Sequence, residues 1–352
     1  MTDVATDHTS SPAAAGAGAR PRIAVTLGDP AGVGPELVAK LLALPGTSAA
    51  ADVVLVSDTE EIASAGRDAG VDIRLSSEPG DGLPRLHPTR GVRPEGGFVR
   101  QRATAEGGRW SLDALSTALD LVRADEVDAV VFASLNKTSM HLAGMTENDE
   151  LHWFESVLGA DPAGDGFTCE INVLPGLMTS RVTSHVSVAE VDAGITPERV
   201  LGATRLLDRL LRERGVASPS LAVCALNPHA GEGGRFGRHE IEVISPAVQR
   251  LRAEGIDVQG PFPSDTIFLR ARTDEFDGVV TMYHDQGQIA MKLLGFDRGV
   301  TVAGGLSVPI CTPAHGTAFD IVGQGRAGIG AMQHAFEIAV SIASQRRAAA
   351  TA

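Results

Sequence analysis

Short apolar runs recur along the chain, each bounded by Gly, Pro, Asn, Asp or Ser. Arg22–Leu27, Asp52–Ser57, Val71–Leu75, Asp128–Ala133, Ser180–His185, Leu221–Leu226, Gly278–Thr281 and Gly299–Ala303 read as strands, most of them buried. Helical spacing falls between them: Leu37 to Leu44, a segment ending at Ala69, Trp110 to Val122, then 197–213, 239–253 and 328–345. In Trp110–Val122 the apolar residues Leu112, Leu115, Leu119 and Val122 share one face. Residues 76–108 are Pro- and Gly-rich and hold no clear element, and Pro261–Thr266 reads as a turn that presents Asp265. Strand and helix patterns alternate without an internal repeat, which predicts an α/β fold with a largely parallel sheet.

Composition narrows the partners. The chain has 352 residues, enough for roughly two domains, with 43% hydrophobic and 21% charged residues. A net charge of −14, only 4% aromatic residues and no basic tract argue against nucleic-acid binding. No apolar run is long enough to span a membrane. Cys169, Cys224 and Cys311 are dispersed, which fits reduced thiols in a cytoplasmic protein. Residues 1–20, rich in Ala, Thr, Ser and Gly, read as a disordered leader.

The candidate chemistry sits where strands end. Gly28–Glu36 joins the first strand to the first helix, as a tight turn or an anion loop. Lys137 follows the strand Asp128–Ala133, as a charge-bearing site residue or a solvated lysine. The segment Met145–Leu158 carries Glu147, Asp149, Glu150, His152 and Glu155 at no deciding spacing. His185, His229 and His284 each stand at or just past a strand end. They are too far apart in sequence for a local zinc finger, yet strand ends can converge in one cleft or across a subunit boundary. Three neutral imidazoles with open positions would make a catalytic site for Zn, Co, Mn or Mg, and the ligand type favours the transition metals. Asp285 can orient His284, and Lys292 can hold an anion.

In order along the chain, GDPAGVGPE, NPHAGEGG, PFPSDT, MYHDQG with its following Lys, and HGTAFDIVGQG resemble the 4-hydroxythreonine-4-phosphate dehydrogenase (PdxA) family from about residue 22 to 345. The resemblance implies an isocitrate/isopropylmalate-dehydrogenase-like, two-domain fold. The approximate division is 21–135 plus 300–348 on the nucleotide side and 136–299 on the metal, substrate and dimerisation side. It implies a homodimer with active sites at the dimer interface, NAD, and a divalent metal on His185, His229 and His284 shared between subunits. Lys292 would bind substrate, and His315, Gly316, Thr317, Ala318 and Asp320 would wrap the adenosine of NAD. The implied reaction is oxidation of a secondary hydroxyl, followed by loss of CO2 where a carboxylate lies β to the new carbonyl. Lys137 and Lys292 are candidates to bind anionic oxygens or relay protons, and Asp265 and Asp285 to orient ligands or act as the base.

The chain departs from that family at the substrate. The family's His-Thr pair falls on Glu150 and Leu151, with His152 one residue on; its Asn falls on Thr301 and its Arg on Ile310. Loss of an Arg removes a fork that matches phosphate oxygens. A different hydroxy acid is therefore expected as substrate, or a diol carboxylate of the terephthalate cis-dihydrodiol type. The competing classes are a phosphotransacetylase-like transferase and a non-catalytic ligand-binding paralogue.

Overall fold

The structure is a computed structural model that describes residues 20–76, 82–162 and 164–351. Apart from Arg20, the predicted leader lies outside the described residues. The strands are β1 (Arg22–Thr26), β2 (Asp52–Ser57), β3 (Arg85–Pro88), β4 (Ala129–Phe132), β5 (Cys169–Leu174), β6 (Leu177–Arg181), β7 (Ser220–Cys224), β8 (Asp257–Phe262), β9 (Gly278–Thr281), β10 (Val300–Gly304) and β11 (Ile310–Pro313). They form one 11-stranded sheet in the order β3-β2-β1-β4-β11-β10-β5-β6-β9-β7-β8. Pairing is parallel except where β10 meets β11 and β5, and where β5 meets β6. The fold is therefore α/β, as expected, with an antiparallel centre joining two parallel wings.

One face of the sheet is covered from end to end. A single apolar cluster joins Ile23, Leu55, Val131, Val302, Ile171, Met178 and Val223 to the helices Gly34–Ala43, Pro197–Glu213, Ser245–Ala253 and Gly330–Thr351. The opposite face is covered in two separate patches. Helices Ala105–Arg123 and Glu150–Leu158 pack over β1, β2 and β4, while Ser264–Ala271 and His284–Gly295 pack over β7 and β9. The gap between these patches lies over β11, β10 and β5. Side chains alternate between faces along a strand, so Val302 and Cys311 enter the continuous core while Thr301, Ala303, Ile310 and Thr312 face the gap.

The differences from the sequence reading have local causes. No strand forms at Val71–Leu75; Val71, Ile73 and Leu75 pack against the core, and the next residue, Ser76, makes one bridge to Arg85. The third strand is instead β3, inside the stretch read as irregular. The helix read from Trp110 starts a turn earlier, at Ala105, because the Thr104 hydroxyl accepts from the Gly107 N–H at 3.0 Å. The strand read as 180–185 is β6, shifted towards the N-terminus and paired with the unexpected β5 through a turn at Pro175–Gly176. Pro261–Thr266 is the end of β8 and the start of a helix rather than a turn. The three cysteines are free and buried. No helix among the described residues is long and apolar enough to cross a membrane.

Candidate active-site cleft

The uncovered gap is a cleft of about 290 Å3. Strand register sets its floor: Thr301 pairs with Thr312, and Ala303 pairs with both Ile310 and Glu170. Phe132, Leu151 and Phe154 form an apolar wall, and Ser134, Lys137 and Glu150 stand at the β4 end. His185 and His284 enter from the other side, on the segments that leave the neighbouring parallel strands β6 and β9. Their ring centroids are 5.8 Å apart.

Carboxylates hold both imidazoles. Asp149 Oδ2 lies 2.5 Å from His185 Nδ1, and Asp285 Oδ1 lies 2.7 Å from His284 Nδ1. An ionised carboxylate only accepts, so each Nδ1 carries a proton, and in the neutral imidazole Nε2 is then the atom that keeps its lone pair. Burial opposes ionisation of Asp149, but hydrogen bonds from His185 and from the His152 N–H and ring outweigh it and hold the carboxyl well below its usual range. The Asp149 hydrogen bond in turn outweighs burial and raises the His185 imidazole above its ordinary value. Glu170 reaches within 4.0 Å of His185 Nε2 and is tied at 2.8 Å to the buried guanidinium of Arg181.

The other expected site residues divide sharply. Glu150 and Thr301 line the cleft, as do Leu151 and Ile310 at the remaining substrate positions, and Lys137 pairs with Glu150 at 3.6 Å. His315 and Gly316 line its far end, where the Ser134 hydroxyl donates to the His315 carbonyl at 3.0 Å. Thr317 and Ala318 lead away from it, Ala318 in a left-handed conformation, and Asp320 is exposed beyond. The Val33 N–H donates to the Thr317 carbonyl at 3.0 Å, and a Cβ on Gly32 would stand 2.8 Å from Thr317 Cβ. Gly32 thus lets the first loop press against the His315–Asp320 segment, and close backbone approach explains this glycine without a bound anion.

Besides Asp285 and the stretch from Thr317 to Asp320, four more expected residues do not line the cleft. Lys292 borders a much smaller adjoining pocket with Asn172 and Gln288. Asp265 is exposed in the first turn of helix Ser264–Ala271. His152 points back to Asp149 at 2.6 Å rather than towards a substrate. His229 follows β7, beside β9, but its loop runs through six consecutive residues with positive φ, His229 to Gly234, and leaves the residue exposed, its ring 6.3 Å from that of Phe236. Among the described residues no three His, Cys, Asp or Glu side chains of one chain gather as metal ligands. The residues that the sequence left unassigned are Asp149, Glu170, Ser134, Gln288 and Thr312. Of these only Asp149 carried a signal: an Asp just before a helical segment, where it caps the first turn.

Residues 54–339 match the family model described as pyridoxal phosphate biosynthetic protein PdxA. A Pseudomonas aeruginosa protein named putative 4-hydroxythreonine-4-phosphate dehydrogenase 2 is 53% identical, over 91% of this chain and 96% of its own. The crystal structure of 4-hydroxythreonine-4-phosphate dehydrogenase from Klebsiella pneumoniae is 32% identical with a TM-score of 0.77, over 92% of this chain and 98% of that one. A terephthalate 1,2-cis-dihydrodiol dehydrogenase from Burkholderia xenovorans is 28% identical with a TM-score of 0.65, over 92% and 98%. A β-decarboxylating dehydrogenase from Thermococcus kodakarensis, at 14% identity, TM-score 0.50 and coverage of 94% and 97%, shares the fold alone, which is the isocitrate/isopropylmalate-dehydrogenase-like one. The relatives are dehydrogenases, which makes the chain an oxidoreductase. Matched along most of its length in both sequence and fold, the chain belongs to the PdxA family.

Proposed function

We propose that the protein is an NAD-dependent, divalent-metal-dependent dehydrogenase that oxidises a secondary hydroxyl of a hydroxy acid in the cytoplasm. The carrying observation is the pair His185 and His284, each with Nδ1 held by a carboxylate, in a cleft that ends at His315 and Gly316. Two imidazoles with free Nε2 atoms fit two ligand positions of a divalent metal. The described residues of one chain supply no third, so His229 of a second copy completes the set in a homodimer. Both loops concerned carry exposed apolar residues suited to such a contact: Val186 and Val188 after His185, and Phe236 and Ile241 after His229. The domain boundary in this reading follows the β10–β5 seam, with 21–135 plus 300–348 on one side and 136–299 on the other.

The bound metal would polarise the substrate hydroxyl and lower its pKa. The chain's own part is to bind and to move a proton. Of Lys137, Asp265, Asp285 and Lys292, only Lys137 lines the cleft, and its ammonium or amine reaches the substrate's oxygens. Asp285 orients His284. Lys292 and Asp265 act only if the second copy brings them to the cleft. The His315–Asp320 segment borders the adenosine side, and the exposed Asp320 carboxylate suits ribose hydroxyls better than a ribose phosphate, which favours NAD over NADP.

The cleft's charges bear on the substrate. Its lining cation, Lys137, faces Glu150; Arg181 is buried behind Glu170; and the wall beyond is Phe132, Leu151, Phe154 and Ile310. No guanidinium fork faces the cleft from the described residues of one chain. We therefore read the substrate as an unphosphorylated hydroxy acid, or a cis-diol carboxylate of the kind named for the Burkholderia xenovorans relative. An NADH-formation screen with added Zn2+, Co2+, Mn2+ or Mg2+ should find turnover among hydroxy acids or diol carboxylates without phosphate. Efficient oxidation of 4-phosphohydroxythreonine would refute the substrate reading. No NADH from any hydroxy acid, together with thermal stabilisation by coenzyme A alone, would refute the dehydrogenase reading.

A further inference from the structure

The geometry points to Asp149 as the residue that positions the metal-facing side of His185, with His152 as its buttress. This rests on reading His185 as a metal ligand. Asp149 is 1% exposed and commits both of its oxygens. Oδ2 meets His185 Nδ1 at 2.5 Å, while Oδ1 accepts the His152 N–H at 3.0 Å and stands 2.6 Å from His152 Nδ1. The carboxylate is therefore fixed at three points: by the helix it caps, by the His152 ring, and by the ring it serves. A cap at the start of helix Glu150–Leu158 also places the negative charge where the helix dipole favours it.

The consequence is a preset tautomer. With Nδ1–H pinned to a buried anion, His185 offers Nε2 to the cleft in one orientation, before any ligand arrives. His284 is held differently. Its partner Asp285 is 68% exposed, so water competes for that hydrogen bond and the ring stays adjustable. His185 is the rigid anchor and His284 the ring that adapts. The same geometry gives His152 a role other than substrate contact: its half-exposed ring closes off the second oxygen of Asp149, leaving the carboxylate no alternative partner.

The test measures metal affinity and needs no substrate. Wild type, Asp149→Asn, His152→Ala and His185→Ala are stripped of metal and titrated with Co2+ in competition with a chromogenic chelator, and the Co2+ visible spectrum is recorded. Asn caps a helix as well as Asp, so D149N keeps the helix start and puts a neutral amide NH2, a donor, where the anionic acceptor faced His185 Nδ1; the melting temperature of the metal-free protein checks the fold. D149N is expected to bind Co2+ roughly 10- to 100-fold more weakly, the usual effect of removing such a partner, with an altered spectrum. H152A is expected to show a smaller loss in the same direction. Wild-type affinity and spectrum in D149N, with H185A impaired, would overturn the role of Asp149 while leaving His185 a ligand. Wild-type affinity in H185A would overturn the metal reading, and the positioning role with it.

Discussion

The segments that follow β6 and β7 leave the sheet on either side of β9, yet they are built for opposite purposes. The first delivers His185 into the cleft and locks it on a buried carboxylate. The second turns through a left-handed run and leaves His229 exposed beside Phe236, itself 45% exposed. On the proposed function, the pinned ring serves the cleft of its own chain, and the ring presented at the surface serves the cleft of a second copy. In the proposed reading, one chain supplies two of the three metal ligands and presents the third to a second copy.

The largest expected effect breaks the contrast outright. His185→Ala and His229→Ala should each abolish dehydrogenase activity, with losses greater than the roughly 10- to 100-fold that a supporting residue costs. Only H185A alters the half-site within its own chain. If H229A keeps full kcat, the exposed ring is outside the chemistry. Next in size is the Co2+ affinity loss in D149N, which sharpens the contrast by showing what the pinned side contributes before assembly.

A third prediction concerns the wing of β1, β2 and β4, away from both loops. Glu61 is buried beneath Trp110 Nε1–H and the Ser57 hydroxyl, and burial, outweighing those bonds, pushes its carboxyl up to about 7. Between the unfolded value of 4.5 and that folded value, the unfolded chain ionises while the folded one holds its proton. Stability therefore falls as pH rises through this window, by on the order of 3 kcal/mol at most, and then levels off. Glu61→Gln should flatten the decline in melting temperature between pH 5 and pH 7 (roughly the window that the linkage relation sets); an unchanged slope contradicts it. The smallest effect is at the cleft mouth. Glu150→Gln frees Lys137 and removes a negative charge, so KM for an anionic substrate should fall by roughly 2- to 10-fold with kcat little changed, the scale of a partly screened charge contact. A rise in KM would place Glu150 as a substrate contact.

The parallel wings were legible because β1, β2, β4, β7 and β9 are buried on both faces and read as continuous apolar runs. Of the antiparallel centre, β10 was read in place, β6 was read shifted, and β5 and β11 were not read. In β5 and β11, and at the displaced β6, Glu170, Thr312 and Thr179 interrupt the apolar pattern. Glu170 and Thr312 do so because they form the floor of the cleft. Two of the unread strands, β5 and β11, are thus ones that carry the site. The histidines were legible as strand-end residues, but their grouping was not, since it depends on the paths of the loops after the strands. Asp149 escaped because its partner, His185, lies 36 residues away, a pairing that no local spacing reveals.

The shared site is tested most directly by subunit complementation. H185A and H229A chains, each inactive alone, are co-expressed in equal amounts, and dimers are confirmed by size. In a mixed dimer one site carries both substitutions and the other carries neither, so random pairing should restore roughly a quarter of wild-type activity. Mixed dimers that form and stay inactive would contradict a metal centre built from two chains.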